Sequence, residues 1–132
     1  MKRFNCILVA TCAISMFPAT SSAFEIDFGW QGLTLCTTGR PNRVQNPAFA
    51  LSDVPEGTRY IRFKLVDLDV PGYHHGGGVV AYTGQKTIAP GAFKYKSPCP
   101  PNGGHIYEWR ATAQTRKNGG RISTASRARA YP

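Results

Sequence analysis

Two short stretches of the chain concentrate side chains that can hold or move a proton. Asp67-Leu68-Asp69-Val70-Pro71-Gly72-Tyr73-His74-His75 sets carboxylates and imidazoles at the end of an apolar alternation. Ser97-Pro98-Cys99-Pro100-Pro101-Asn102-Gly103-Gly104-His105-Ile106-Tyr107 delivers a His and a Tyr two residues apart. If they converge, Asp67, His75, His105 and Tyr107 supply one carboxylate, two imidazoles and a phenol. Together with backbone N–H groups from a turn, that set suits a small anion such as phosphate. Taken singly, the plainer reading is that His105 is a hydrogen-bonded histidine at a sheet edge and Tyr107 a core aromatic. The convergence of two stretches is what favours a site.

Other chemistries fit the pattern less well. Two histidines and an aspartate are Zn²⁺-ligand types, but His74 and His75 are neighbours and would point to opposite faces of a strand. Ser97 stands beside Pro98 without a Gly-x-Ser-x-Gly elbow, which argues against a serine triad. General acid–base work by His and Asp stays open. No metal or cofactor is expected.

The elements that must position these groups are strands. Three prolines in 98–101 fix φ and remove three amide donors, so the stretch is a rigid loop rather than a helix or a central strand. Asn102-Gly103-Gly104 then turns the chain. From His105 onward, His105, Tyr107, Trp109, Ala111 and Ala113 share one side of a period-2 strand. In Tyr60 to Asp67, Ile61, Phe63 and Leu65 share a face, with Arg62 and Lys64 opposite. Asp67 is in phase with the apolar face, so it needs a partner. His75 and His105 are both candidates, and either imidazole would lower its pKa. Asp67 can also cap the turn that follows, although Asp69 is the better candidate for that role. Gly76-Gly77-Gly78 lets another group approach the backbone closely.

In this order, Asp67-Leu68-Asp69-Val70-Pro71, His75 and Pro98-Cys99-Pro100-Pro101-Asn102-Gly103-Gly104-His105-Ile106-Tyr107 resemble the phosphatidylethanolamine-binding protein family, in its bacterial Raf-kinase-inhibitor-like branch. Asn46-Pro47-Ala48-Phe49 and Val54-Pro55-Glu56-Gly57-Thr58 extend the resemblance, which runs from about Gln45 to Ala113. It implies an antiparallel β-sandwich with a pocket for the phosphoryl group of a phospholipid headgroup. It further implies that Asp67, His75, His105 and Tyr107 are pocket residues, with Ser97 and Cys99 at loop positions whose backbone donors face the ligand. Leu68 stands where the family has Pro, Ile106 where it has Arg, and Gly76 where the bacterial branch has Trp. Gly77 and Gly78 replace bulky residues, so the pocket wall is either more open or filled from elsewhere.

The chain of 132 residues suits one domain, 24–132, behind a leader at 1–23. Lys2-Arg3, the short apolar run from Ile7 to Phe17 and Ser21-Ser22-Ala23 read as a signal peptide cleaved after Ala23, which predicts a periplasmic or secreted protein. The formal charge is +9. Every charged residue after Glu108 is basic: Arg110, Arg116, Lys117, Arg121, Arg127 and Arg129. A basic end suits nucleic acid or an anionic membrane surface, but export argues against nucleic acid. Peripheral membrane contact stays open. Cys36 and Cys99, the two cysteines left after cleavage, predict one disulfide in an oxidising compartment.

The remaining pattern is short strands and turns. Glu25 to Trp30 alternates, Leu33 to Cys36 reads as a second strand, and Thr37 to Pro47 as a loop. Val79 to Tyr82 reads as a buried strand, Ile88 to Lys96 as a turn with a Phe93/Tyr95 alternation, and Ile122 to Tyr131 as a last strand after a hairpin turn. No helical period is present after residue 23. The expected class is all-β, an antiparallel β-sandwich with few or no helices. The expected function is binding of a phosphate-bearing small molecule or phospholipid headgroup, without catalysis. The alternative is an inhibitor of an envelope or secreted enzyme such as a protease, acting on a protein partner.

Overall fold

The computed structural model describes residues 12–18 and 22–132. Much of the expected leader lies outside the described residues. Within it, 12–18 and 22–23 are exposed and belong to no strand or helix, and Cys12 is a free, exposed thiol. No helix among the described residues is long and apolar enough to cross a membrane.

Among the described residues nine strands follow in chain order: β1 (Glu25–Phe28), β2 (Arg43–Gln45), β3 (Phe49–Ser52), β4 (Tyr60–Asp67), β5 (Gly77–Ala81), β6 (Thr87–Ile88), β7 (Lys94–Lys96), β8 (His105–Arg116) and β9 (Gly119–Tyr131). All pairings are antiparallel, in sheets β1-β3-β6, β2-β7 and β5-β4-β8-β9. The alternations in the sequence set the faces. Ile61, Phe63 and Leu65 of β4 and Tyr107, Trp109, Ala111 and Ala113 of β8 are all buried. Ile26, Phe28, Phe49, Leu51 and Ile88 turn inward from the three-stranded sheet to meet them in one core. Phe49 is the hinge of that contact, stacked on Phe63 at 4.4 Å and edge-on to Trp109 at 5.2 Å. Burying each such side chain contributes roughly 1.5–3 kcal/mol, so the sandwich is held by its aromatic centre.

Three expectations are corrected. Leu33 to Cys36 is not a strand, because its backbone is satisfied without a ladder: Leu33 N–H donates to Trp30 O, and Cys36 N–H to the Tyr131 hydroxyl at 2.8 Å. The loop 37–47 contains β2, three residues too few to show a period. The strand expected at 79–82 begins at Gly77 and is half-buried, since β5 is an edge of its sheet.

The glycines of β5 have a packing reason. A Cβ on Gly78 would lie 2.5 Å from Cβ of Phe93, and one on Gly77 would strike the Phe63 carbonyl. Phe93 fills the space that bulky residues would take and stacks on Phe63 at 5.7 Å. Asn46 holds the Phe93 loop in place. Its side-chain amide donates to Pro47 O and Ala89 O, and its oxygen accepts from Gly91 and Phe93 N–H.

Candidate functional site

β4 and β8 pair with Asp67 opposite Tyr107, which puts the carboxylate and the phenol on one face at the end of the sheet. Asp67 is 4% exposed. Its Oδ2 accepts from Nδ1 of His105 at 2.7 Å, and its Oδ1 accepts from the amides of Asp69 at 2.9 Å and Val70 at 3.2 Å. Burial alone would raise the carboxyl's pKa. The hydrogen bonds from His105, Asp69 and Val70 outweigh it and hold the group below its ordinary value. His105, not His75, is therefore the partner that Asp67 requires.

His75 comes from the turn between β4 and β5 and is buried, while His74 is exposed. His75 Nδ1–H donates to Lys96 O at 2.7 Å, which leaves Nε2 with no partner among the described residues. Burial pushes the imidazole below its ordinary pKa, so this ring rests neutral. Tyr107 lies between the two imidazoles, edge-on to His75 at 5.5 Å and stacked with His105 at 6.1 Å. Burial, aided by the Asp67 carboxylate, raises its phenol well above the usual value.

These groups border one cavity of about 140 Å³, together with Gly39, Pro41, Val70, Tyr73, Cys99, Pro100 and Pro101. Cys36 and Cys99 form the expected disulfide. It ties the loop carrying Gly39 and Pro41 to the loop carrying Pro100 and Pro101, and Gly39 N–H adds a bond to Cys99 O at 3.1 Å. The bridge thus joins two walls of the cavity.

Sequence reasoning assigned two roles differently. Asp67, not Asp69, caps the turn; Asp69 instead accepts the Ile106 amide at 2.8 Å through Oδ2 and latches the turn to β8. Ser97 lies outside the cavity. Its amide donates to Asn42 O, so the backbone donor expected to face the ligand is taken, and its hydroxyl accepts from Asn42 N–H. Tyr73 was missed. Its ring sits 4.6 Å from His75, and its i, i+2 spacing from that histidine was the available signal. Gly39, Pro41 and Val70 carried no such signal.

Two other features compete for attention. A larger depression of about 550 Å³ runs between Trp30, Leu33, Val44 and Tyr95, but no carboxylate, imidazole or cation lines it. Ligand atoms of Asp67, Asp69 and His105 lie within 4.8 Å of one another. Asp67 accepts there from His105, Asp69 and Val70, and Asp69 accepts from Ile106, so these groups are already engaged with one another and with the backbone.

No protein-family model matches the sequence, and no curated protein matches it. The arrangement of strands is more informative. It superposes on the phosphatidylethanolamine-binding protein homolog CT736 from Chlamydia trachomatis with a TM-score of 0.60, at 19% identity over 85% of this chain and 99% of that one. The fold is that of the phosphatidylethanolamine-binding proteins. Escherichia coli YbcL, described as a new member of the mammalian family of these proteins, superposes with a TM-score of 0.61, at 17% identity over 83% of this chain and 98% of its own. The phosphatidylethanolamine-binding protein fold thus agrees with the order of motifs in the sequence and with the all-β class.

Proposed function

We propose that the protein is an exported, non-catalytic binding protein for a phosphate-type anion, taken free or as a phospholipid headgroup. The observation that carries this reading is one small cavity bordered by His75, His105 and Tyr107. Asp67 holds His105 through Nδ1, and Lys96 O holds His75 the same way, so each ring turns its Nε2 edge away from those anchors. A proton on Nε2 makes each ring a charge-assisted donor to a phosphoryl oxygen.

Two features favour binding over catalysis. Cys99 is committed to the disulfide, and the Tyr107 phenol resists ionisation, so the lining offers no activated nucleophile. The disulfide and the leader-like first residues favour an oxidising, exported location.

The test is a histidine-resolved NMR titration of the chain from Phe24 with O-phosphorylethanolamine and inorganic phosphate. His75 and His105 should shift together and saturably, and His105→Ala should abolish the response. If neither imidazole responds at millimolar ligand, the reading fails and a protein partner becomes the better explanation.

A further inference from the structure

We propose that the larger cavity, of about 550 Å³, is a second binding site and that it takes a neutral mono- or disaccharide. It shares no lining residue with the cavity at Asp67, so it stands or falls independently of the phosphate reading. Its volume lies within the roughly 300–1,000 Å³ usual for ligand sites.

The two-stranded sheet builds the floor. β2 and β7 pair with Val44 opposite Tyr95, and the same register brings Asn42 beside Ser97 just beyond the strands. The cations of these strands, Arg43, Lys94 and Lys96, alternate onto the opposite face and are exposed. Tyr95 is 2% exposed, and its ring packs edge-on to Trp109 at 4.9 Å. Its hydroxyl has no hydrogen-bond partner among the described residues. Yet the polar atoms sealed from solvent without a partner are Trp109 Nε1 and Arg129 Nε, not this one. The phenol therefore reaches solvent through the cavity that Tyr95 lines. A buried side chain whose one polar atom is unpaired and opens on a cavity is placed to meet a ligand. Burial raises this phenol above its usual pKa, so it keeps its proton and can both donate and accept. Ser97 acts only as an acceptor within the protein, from Asn42 N–H at 3.1 Å. Its own hydroxyl proton finds no acceptor among the described residues.

A second wall is the turn from Trp30, closed by Leu33 N–H donating to Trp30 O at 3.1 Å. Trp30 is fixed before any ligand arrives. Its indole N–H donates to Ala130 O at 2.8 Å, and its ring meets Phe28 and Tyr131 edge-on at 4.9 and 5.4 Å. With Leu33 and Val44 it gives the cavity an apolar wall, and Gln31 and Asn42 add side-chain amides that bond nothing among the described residues.

This lining selects the ligand by what it refuses. Among the described residues no charged side chain borders the cavity, so an ion would lose hydration without gaining a counter-charge. A purely apolar molecule would leave the Tyr95 and Ser97 hydroxyls and two amides unpaired. Sugar hydroxyls donate and accept, as these groups do, and the C–H face of a pyranose suits an indole wall.

The experiment is an NMR titration of the full chain with maltose, cellobiose and diacetylchitobiose, up to tens of millimolar. It is read at the indole N–H groups of Trp30 and Trp109, the two tryptophans. At least one sugar should shift Trp30 saturably and leave Trp109, in the core, in place. Tyr95→Phe should weaken that binding by about three- to tenfold, the loss of one hydrogen bond. It should not lower the thermal midpoint, because the hydroxyl serves nothing else in the fold. Asn42→Ala, at an exposed side chain, should weaken binding as well. Affinity should be insensitive to salt, because no charge pairs with the ligand. No shift of Trp30 with any of the three sugars overturns the site. So does binding that both variants leave unchanged. A lower thermal midpoint for Tyr95→Phe overturns it too, by making the phenol a structural group. Competition by inorganic phosphate would put the sugar in the other cavity, and tighter binding of glucuronic acid than of glucose would contradict a neutral site; either result overturns the proposal.

Discussion

Replacing Asp67 by Asn removes one charge from the centre of the site while keeping its shape. In the wild type three donors converge on a carboxylate that is 4% exposed: His105 Nδ1 at 2.7 Å and the amides of Asp69 and Val70 at 2.9 and 3.2 Å. The Asn oxygen can still accept from the two amides. Its NH₂ then faces His105 Nδ1, which must give up its proton to the other nitrogen to accept. Hydrogen bonds to a charged group contribute about 1.5–3 kcal/mol each, against about 1 kcal/mol for neutral ones. Losing the charge assistance should therefore cost about 2–3 kcal/mol. With a urea slope of roughly 1–2 kcal/mol per M for a domain of this size, the midpoint falls by on the order of 1–3 M. The pH dependence makes the test specific. The folded pKa of Asp67 lies below its unfolded value, so its stabilisation is full above the ordinary carboxylate range and is lost as pH falls through the folded pKa. Urea curves for wild type and Asp67→Asn should stand apart at neutral pH and converge in acid. A gap that persists unchanged in acid, or no gap at neutral pH, would refute the assignment of Asp67 as a buried, triply bonded carboxylate.

Three further outcomes are expected. Reducing the Cys36–Cys99 bridge, which spans 63 residues, or replacing both cysteines by Ser, should lower stability by about 4 kcal/mol on the loop-entropy relation. Thermal melts with and without a dithiol reductant measure this, and an unchanged midpoint contradicts it. Gly78→Val should cost about 1–3 kcal/mol through overpacking against Phe93, and Gly78→Val/Phe93→Ala should recover part of that loss in a double-mutant cycle. Phosphate affinity should rise on acidification. His75 rests neutral with its pKa depressed by burial, and an anion at Nε2 favours the imidazolium, so binding takes up a proton. The affinity gain should begin as pH falls through the bound pKa of His75 and level off below its free value. Calorimetry in buffers of different ionisation enthalpy would detect the proton, and its absence would count against His75 as a donor.

The local pattern of the chain was enough for the strands that matter most. Tyr60–Asp67 and the strand from His105 carry unbroken period-2 alternations, and a period-2 pattern with one buried face leaves a single arrangement of in and out. It also placed Asp67 on the core side, from which its need for a partner followed, and the two cysteines outside the expected leader suggested the bridge. Partner choice was a different matter. Nothing local distinguishes His75 from His105 as the neighbour of Asp67. That is decided by the β4–β8 register, which sets Asp67 opposite Tyr107, and by the Lys96 carbonyl that claims His75. The exchange of roles between Asp67 and Asp69 has the same origin, because β8 brings the Ile106 amide to Asp69 from 37 residues away. Ser97 was drawn away by Asn42, another long-range bond. Short segments such as β2 and β6 have too few residues to show a period, and Phe93 covers Gly78 only because the Asn46 clamp brings its loop over the sheet. Periodicity is a property of neighbours in the chain and survives in the sequence. Which donor meets which acceptor is a property of packing, and only the folded chain brings those groups within reach.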